Sequence, residues 1–246
     1  MKTSMFTIIT VVKNDLNGLK KTQNSIASQT KSSYEWIVID GNSTDSTKGY
    51  VLNRLKDNKC ISENDNGIYD AMNKGIGMST GEYVVFLNAG DTFSNTQVLS
   101  DIGDIIHHSE HYDIIFCGAN LKFNSKSHYR GVRKIEQYIW HGLPANHQAT
   151  FFKLSAIVNN RYSDEYKLSG DYYIVSKLYM SKALCAYHDK PIVNFSMGGF
   201  SYQNPLLALK EAYLIQKNVL KTSLFLRLLS ASRRILAHVI VKYLYI

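Results

Sequence analysis

The feature that most constrains the fold of this chain is a buried strand that ends in a carboxylate. A polar loop leads into a short helix at 68–78, and four of the five residues at 83–87 are then apolar before the strand stops at Asn88-Ala-Gly-Asp91. Strands that deliver a charged group at their carboxyl ends are typical of α/β sheets, whose ligand crevices lie at that edge. A carboxylate there can hold a divalent metal ion, and the ion can hold a diphosphate.

Strands and helices alternate along the first hundred residues. Short connections in βαβα order predict a mostly parallel, Rossmann-like sheet that is flanked by helices and joined by right-handed crossovers. The predicted strands are 6–12, 35–40, 59–62 and 82–88, and the predicted helices are 16–28, 44–56 and 68–78.

Strands and helices no longer alternate regularly in the second half, where we predict a mixed α+β arrangement on the same sheet. Only three prolines occur and no Gly/Ser-rich linker marks a boundary. We therefore expect one domain over residues 1–205 and a helical tail over 206–246. The predicted elements are strands at 113–123, 128–132, 149–153 and 192–196 and a helix at 172–181.

The tail carries most of the chain's net charge of +8, since seven of the 28 basic residues but one of the 20 acidic residues lie at 206–246. Arg227, Arg234, His238 and Lys242 are spaced to share one helix face. Without a charge-free run of about 20 residues, the tail predicts an amphipathic helix on an anionic membrane surface and no membrane span. The alternative is a helical pair that packs on the domain or on a second copy, as a homodimer.

Other features bear on compartment and partners. Cys60, Cys117 and Cys185 are far apart and odd in number, which favours a reducing compartment. The first residues show no small-residue cleavage site of a secretory signal. We expect a protein at the cytoplasmic face of a membrane, the inner membrane if the chain is bacterial. No nucleic-acid partner is expected, because basic residues are not interleaved with exposed aromatic residues in a known motif.

Polar groups also end the first two strands. The first strand ends near Thr10-Val-Val-Lys-Asn14, and the second ends in Asp40-Gly41-Asn-Ser-Thr-Asp45. Carboxylates and amides at adjacent strand ends can read a base by hydrogen bonding. The alternatives are a turn-forming role for Asp40 and a first-turn helix role for Asp45.

Four segments resemble the family 2 glycosyltransferases, which are inverting, nucleotide-sugar-dependent enzymes of the GT-A fold. The segments are Thr10–Asn14, Val38–Ser46, Glu63–Gly75 and Phe86–Asp91. The similarity is closest to short bacterial members of colanic acid and O-antigen clusters, and it continues more weakly through 144–148, 166–172 and 195–201.

The resemblance implies a role for individual residues. Thr10, Val11 and Asp40 would surround the nucleotide base, with Asp40 accepting from a base N–H. Asp91 would bind a divalent metal, Mg or Mn, and Asp171 would be the general base. The other residues implied at the nucleotide sugar, its diphosphate or the acceptor are Asp65, Asn73, Lys74, Asn88, Gly198, Gly199 and Ser201.

The metal motif departs from the family, which often has acids where this chain has Asn88 and Gly90. Asp91 is then its single carboxylate. Because Mg²⁺ commonly uses one or two carboxylates with phosphates and water, one can suffice, but metal affinity without nucleotide should be weak.

Two residues keep a structural alternative. Asp171 could be an N-cap, which is worth about 1 kcal/mol, as well as a base. His147 could contact the acceptor or a phosphate, or be a packed histidine with satisfied hydrogen bonds.

The expected function is a hexosyltransferase-type reaction. The donor would be a nucleoside diphosphate sugar, UDP-linked by expectation, and the acceptor a sugar hydroxyl of a lipid-linked oligosaccharide precursor of surface polysaccharide. One rival is a nucleotidyltransferase, which should have a Gly-rich basic loop where this chain has 13–18. The other is a noncatalytic sugar-nucleotide-binding protein.

Overall fold

The structure is a computed structural model of the single chain. It describes residues 5–30, 33–55, 58–108, 112–123, 126–196 and 204–245, with side chains as far as residue 239.

The first half forms the predicted parallel sheet. Its strands lie in the order β3-β2-β1-β4, and all three pairings are parallel. Every residue of β1 is buried because both sheet faces are covered; Ile8 packs in one core and Ile9 in the other. The strands are β1 Phe6–Val12, β2 Tyr34–Asp40, β3 Lys59–Ser62 and β4 Tyr83–Phe86, and the helices are α1 Leu16–Ala27, α2 Ser46–Arg54 and α3 Ile68–Met78.

The second half extends the same sheet in mixed orientation, as predicted. Strand β8 (Thr150–Lys153) lies antiparallel to both β4 and β6 (Ile114–Phe123), and β9 (Cys185–Ser196) runs parallel to β6. Within the described ranges, nine strands form this sheet. The remaining elements are strands β5 Thr92–Phe93 and β7 Lys126–Arg130, helices α4 Val98–His108, α5 Ile135–Tyr138, α6 Leu154–Val158 and α7 Gly170–Met180, and a 3₁₀ turn at His147–Ala149.

Strand β9 is longer than predicted, because the sequence indicated only its last five residues. The pairing of β9 with β6 shifts register on either side of Gly118, which faces Pro191. Pro191 and the polar residues His188, Asp189 and Lys190 interrupt the alternation of apolar and polar residues by which a strand is recognised in a sequence. The first part of β9, which lies at this irregular pairing, was therefore not predicted.

The chain ends in helices α8 (Pro205–Asn218) and α9 (Leu224–Tyr245). Ala212 and Ile215 of α8 are fully buried in the same core as α3 and α7. The predicted boundary after residue 205 therefore does not separate two packing units. None of the helices that the structure describes has the length and apolarity needed to cross a bilayer.

Two of the four basic residues predicted to share one face of α9 contact the protein itself. Arg227 lies over the ring of Tyr213 and Arg234 over that of Tyr172, so both point toward the body of the protein. The side chain of Lys242 lies outside the described residues, and contact of the tail with a membrane stays a prediction. The side chains that α8 and α9 expose include the basic Lys210, Lys217 and Arg233 and the apolar Leu206, Leu224, Phe225, Leu228, Ile235, Leu236 and Val239.

Candidate active site

The site lies at the carboxyl edge of the parallel strands, where β1 and β4 part. Chain connections leave this edge in opposite directions from two neighbouring strands, which opens a crevice between them. Backbone hydrogen bonds hold the emerging loops together: Gly41 N–H donates to Val12 O (2.9 Å) and Ala89 N–H donates to Val11 O (3.1 Å).

The segment Asn88–Asp91 is a tight turn. Asp91 N–H donates to Asn88 O over 3.0 Å, and Gly90 has a φ of +92°. A positive φ at the third position is what a type II turn requires, and glycine adopts it without steric cost. The buried Thr22 hydroxyl donates to Asp91 O at 2.7 Å, which ties the turn to α1. An acid at position 90 would be strained in this turn, which glycine adopts freely.

Asp91 is a buried carboxylate, only 4% exposed. One oxygen, Oδ1, accepts from Ser196 N–H at 3.1 Å. Burial raises the pKa of Asp91 to about 7, and the Ser196 N–H and the charge of Lys21 oppose that rise. Burial removes water from the carboxylate and so disfavours its charged form. A cation bound beside Asp91 would favour that form again.

Asn88 supplies a second oxygen. Its Oδ1 is buried and has no hydrogen-bond partner among the residues that the structure describes. Asn88 and Asp91 line the same cleft. An amide oxygen and a carboxylate are the hard oxygen ligands that Mg²⁺ and Mn²⁺ accept. No group of three or more His, Cys, Asp or Glu capable of holding a metal occurs among those residues. An ion held by this pair would need further oxygens from phosphate and water.

Asp171 lines the same cleft, whose volume is about 340 Å³. Of the three aspartates expected around the donor and acceptor, Asp91 and Asp171 therefore share one cleft, although 80 residues separate them in sequence, whereas Asp40 does not line it. The remaining lining comes from α3, β7, the 3₁₀ turn, β9 and the segment before α7, and it includes Tyr69, Met72, Arg130, Asn146, His147, Gln148, Lys167 and Phe195.

Asp171 is not an N-cap. Helix α7 begins at Gly170 with Ser169 as its cap, two residues earlier than the sequence indicated. The Asp171 carboxylate accepts from Tyr172 N–H (2.8 Å) and from the Tyr69 hydroxyl (3.4 Å). Burial raises its pKa to about 6, against the hydrogen bonds and the charges of Arg130 and Arg234. A carboxylate with this pKa is ionised at pH 7 and suited to general-base work.

Glu211 positions the loop that carries Asp171. Its carboxylate is 3% exposed and accepts from three consecutive backbone N–H groups, those of Lys167 (2.8 Å), Leu168 (2.9 Å) and Ser169 (2.8 Å). Glu211 is not among the residues predicted for the site. The feature of the sequence that could have indicated it is that Glu211 is the single acidic residue of a basic, apolar tail.

His147 is a packed histidine with an edge in the cleft. Its ring stacks on Phe86 (centroids 5.1 Å apart), and its Nε2 is 2.6 Å from the Tyr162 hydroxyl. Burial lowers the pKa of His147 to about 4, so the imidazole is neutral at pH 7. It can orient a ligand but does not bring a positive charge to a phosphate.

The residues predicted to surround the base lie at the crevice edge, with their side chains engaged inside the protein. Thr10 donates to Leu87 O (2.8 Å) and accepts from Trp36 Nε1 (2.9 Å). The fully buried Asp40 accepts from the hydroxyls of Ser43 and Ser62. Val11 is also buried, at 8% exposure. These contacts support a structural role for Asp40 in shaping the loops; its contact with a base stays a prediction.

Asp65 lies over the end of β2. A Cβ on Gly41 would be 2.3 Å from an Asp65 carboxylate oxygen and 3.3 Å from Lys13 Cδ, so glycine permits this approach. Asp65 also accepts from Gly67 N–H at 3.1 Å. The predicted position of Asp65 beside the loops of the nucleotide side is thus consistent with the fold.

Asn73 and Lys74 hold neighbouring chain segments. The Asn73 amide donates to Tyr162 O (2.9 Å) and accepts from Tyr162 N–H (3.0 Å). Lys74 pairs with Glu63 (2.9 Å) and Asp70 (3.5 Å). Both side chains are therefore committed to the protein. Gly198, Gly199 and Ser201 lie outside the described residues.

Comparison with known proteins agrees with this geometry. The family model "Glycosyl transferase family 2" matches residues 7–160. A PGL/p-HBAD biosynthesis glycosyltransferase of Mycobacterium bovis is 29% identical over 157 residues, which cover 62% of this chain and 60% of that protein's length. An uncharacterized glycosyltransferase of Mycobacterium tuberculosis is 40% identical over 96 residues, or 38% of this chain and 36% of that one.

Solved structures share the fold. TarS of S. aureus superposes with a TM-score of 0.66 at 16% identity, over 87% of this chain and 66% of that one. The mannosyltransferase PcManGT from Pyrobaculum calidifontis, in complex with GDP-Man and Mn²⁺, gives 0.68 at 14% identity over 95% and 74%. The mixed sheet with helices on both faces is thus the GT-A fold that the sequence led us to expect.

Proposed function

Because the chain belongs to glycosyl transferase family 2 and is therefore a glycosyltransferase, we propose that it moves a sugar from a nucleoside diphosphate sugar to an acceptor hydroxyl with inversion. One observation carries the proposal. A single cleft contains a buried pair of oxygen ligands, Asn88 and Asp91, and a separate buried carboxylate, Asp171.

The Asn88 and Asp91 end receives the donor. These two residues would hold a divalent metal ion, which when bound supplies charge neutralisation for the leaving diphosphate. Structures of TarS with UDP and with UDP-GlcNAc, and of PcManGT with GDP-Man and Mn²⁺, support a nucleotide sugar as donor. We propose a UDP-linked sugar, with GDP as the alternative nucleotide.

Asp171 acts on the acceptor. Its carboxylate takes the proton of the acceptor hydroxyl while that oxygen bonds to the anomeric carbon. The bond from this carbon to the diphosphate breaks on the opposite face, so the anomeric configuration inverts. General-base catalysis supplies about 10²–10⁴-fold, and the remaining acceleration comes from positioning. Tyr69 and Glu211 supply that positioning through their bonds to Asp171 and to the loop before it.

We also propose a membrane-bound acceptor, a lipid-linked oligosaccharide at the cytoplasmic face. The support is the exposed apolar surface of α8 and α9, where Leu206 is 81% and Phe225 73% exposed. Since α8 belongs to the domain core, deleting residues 206–246 would unfold the protein; a Phe225→Asp, Leu228→Asp variant is the cleaner test. It should lose binding to phosphatidylglycerol vesicles. If vesicle binding persists, or if the wild type is instead a dimer through this face, the membrane proposal fails.

The central experiment is a donor panel. Thermal shift with UDP- and GDP-sugars, with and without Mn²⁺, should identify a donor that raises the melting temperature by mass action. Incubation with that donor and a membrane extract should then release nucleoside diphosphate, and NMR of the product should give an inverted anomeric linkage. Pyrophosphate release from a nucleoside triphosphate and a sugar phosphate would instead identify a nucleotidyltransferase. Binding without any turnover would identify a noncatalytic protein.

A further inference from the structure

A second chamber adjoins the cleft on the other side of Asp171. Its volume is about 290 Å³, and it shares Arg130, Leu143, Leu168 and Asp171 with the cleft. The far wall comes from α9, which contributes Arg234. A ligand that presents a hydroxyl to Asp171 can therefore extend away from the donor into this chamber.

Two arginines give the chamber its charge. Each fixes one arm on a backbone carbonyl: Arg130 Nη2 donates to Leu143 O at 3.0 Å, and Arg234 Nη2 donates to His141 O. Neither forms an ion pair with an acidic side chain in the described part of the chain. The Nε of Arg234 is buried without a hydrogen-bond partner there. Guanidinium groups with unused donors are suited to bidentate binding of phosphate.

His141 does not add to this charge. Burial, together with the charges of Arg234, Arg233 and Arg133, lowers its pKa to about 4. The imidazole is neutral at pH 7, and its Nδ1 lies 3.1 Å from the Ser230 hydroxyl. The positive charge that an acceptor meets in the chamber therefore comes from Arg130 and Arg234.

An apolar groove between α8 and α9 adjoins the chamber, because Ala208 and Arg234 line both spaces. The groove has a volume of about 380 Å³, and Leu206, Leu209 and Ile235 contribute to its walls. A base, a pair of cations and an apolar channel thus follow one another along a connected surface.

We infer that this surface binds an amphiphilic acceptor, with its sugar hydroxyl at Asp171, a phosphate or diphosphate between Arg130 and Arg234, and a hydrocarbon chain in the α8–α9 groove. The inference rests on the proposed function, because it assigns the acceptor of the same reaction. It also gives α9 a direct part in acceptor recognition, in addition to any contact with a membrane.

The test uses farnesyl diphosphate as the probe on the full-length protein, measured by calorimetry with the donor site filled by UDP or GDP, whichever binds. Farnesol and inorganic pyrophosphate are the comparison ligands. We expect farnesyl diphosphate to bind at least about tenfold more tightly than either. Arg130→Gln and Arg234→Gln should each weaken it by about tenfold or more. Leu206→Ser should weaken farnesyl diphosphate and leave pyrophosphate unchanged.

Arg233→Gln is the matched control, since it removes the same charge from the next position of α9 but from an exposed side chain. It should bind like the wild type. Arg130→Lys and Arg234→Lys keep the charge and should retain intermediate affinity, which guards against loss of folding in the glutamine variants; thermal melts confirm that each variant is folded.

Several outcomes would overturn the inference. If both folded glutamine variants bound farnesyl diphosphate as tightly as the wild type, the arginines would not be part of the site. If farnesol bound as tightly as farnesyl diphosphate, the site would not recognise phosphate. If inorganic pyrophosphate bound as tightly, the site would bind a free anion and not a lipid. Failure of the proposed function looks different: neither UDP nor GDP would bind, while the arginine variants would still report on farnesyl diphosphate.

Discussion

The ends of β1 and β2 differ from the acceptor side of the cleft in how their polar groups are bonded. Around the ends of β1 and β2, the side chains are bonded to other parts of the protein; Asp40 accepts from Ser43 and Ser62, for example. Around α7, charged groups are buried with hydrogen-bonding capacity left over, as at Arg234, whose Nε has no partner among the described residues.

The two sides also differ in how they are assembled. Most of the donor side comes from about the first 90 residues, where neighbouring strands fix its geometry, and Ser196 of β9 adds one hydrogen bond to Asp91. The acceptor side is assembled from distant segments, with Tyr69, Asp171 and Glu211 joined through hydrogen bonds to one loop. Changes in the C-terminal helices can therefore alter the acceptor without disturbing donor binding.

The largest expected effect separates chemistry from donor binding. Asp171→Asn should lower turnover by about 10²–10⁴-fold, because the amide cannot take the acceptor proton. Steady-state kinetics with the donor found by thermal shift measures it. Asp164→Asn, an exposed neighbour, should be indistinguishable from the wild type. Near-normal turnover of Asp171→Asn would remove this residue from the role of base.

The next prediction concerns the buried carboxylate Asp91, whose ionised form should destabilise the folded protein. Because burial raises its pKa from 3.8 to about 7, the folded protein binds a proton more tightly than the unfolded chain. Without metal, stability should therefore fall as pH rises from about 4 to about 7, by on the order of a few kcal/mol. Asp91→Asn should reduce this slope to the part that Asp171 contributes, whose pKa is also raised, to about 6. The variant should be more stable than the wild type at pH 8, as urea unfolding would measure.

The exposed Asp104→Asn is the control for the Asp91 experiment, and it should keep the wild-type slope. A slope in Asp91→Asn as steep as that of the wild type would mean that Asp91 does not contribute to it. Adding Mn²⁺ with UDP should stabilise the wild type more than Asp91→Asn.

Glu211→Gln tests whether the tail builds the acceptor side. The amide leaves one or two of the three N–H groups of 167–169 without an acceptor, so we expect a loss of about 1–3 kcal/mol in the free energy of unfolding. Turnover should fall while UDP affinity stays within about twofold. Glu165→Gln, on the exposed side of the same segment, should change neither quantity. A fall in UDP affinity equal to the fall in turnover would contradict the separation of the two sides.

The smallest effect concerns a side chain that joins the two regions. Asn73→Ala removes both hydrogen bonds to the Tyr162 backbone, which should cost about 1–2 kcal/mol of stability. If Asn73 is structural, UDP affinity will not change by more than about twofold. A larger drop would restore Asn73 to the nucleotide pocket, as the sequence first suggested. Asn53→Ala, whose amide bonds only within its own helix, is the control.

The sequence predicted the fold of the first half well because local pattern determines it. Strands β1 and β3 and helix α3 have the predicted bounds, and the carboxylate at the end of β4 enters the cleft as expected. Helix α4 was missed although Val98, Ile102 and Ile106 repeat at helical spacing and are buried. The sequence pattern of this helix was therefore clear enough to predict it.

The acceptor side could be predicted only in part. The resemblance indicated Asp171, but the loop that holds it depends on Glu211, 40 residues later in the chain. Arg234 was predicted to lie on a basic outward face, and it instead points into the chamber. Such roles depend on which way a helix face turns when it packs, and helix periodicity alone leaves that direction open.

The most direct test of the account is nucleotide binding to the two carboxylate variants. UDP and GDP are titrated by calorimetry, with and without Mn²⁺, into the wild type, Asp91→Asn and Asp171→Asn. The account predicts that Asp91→Asn loses the Mn²⁺-dependent gain in affinity, about tenfold or more, while Asp171→Asn binds within about twofold of the wild type. Equal losses in both variants, or a full Mn²⁺ effect in Asp91→Asn, would contradict a cleft with separate donor and acceptor ends.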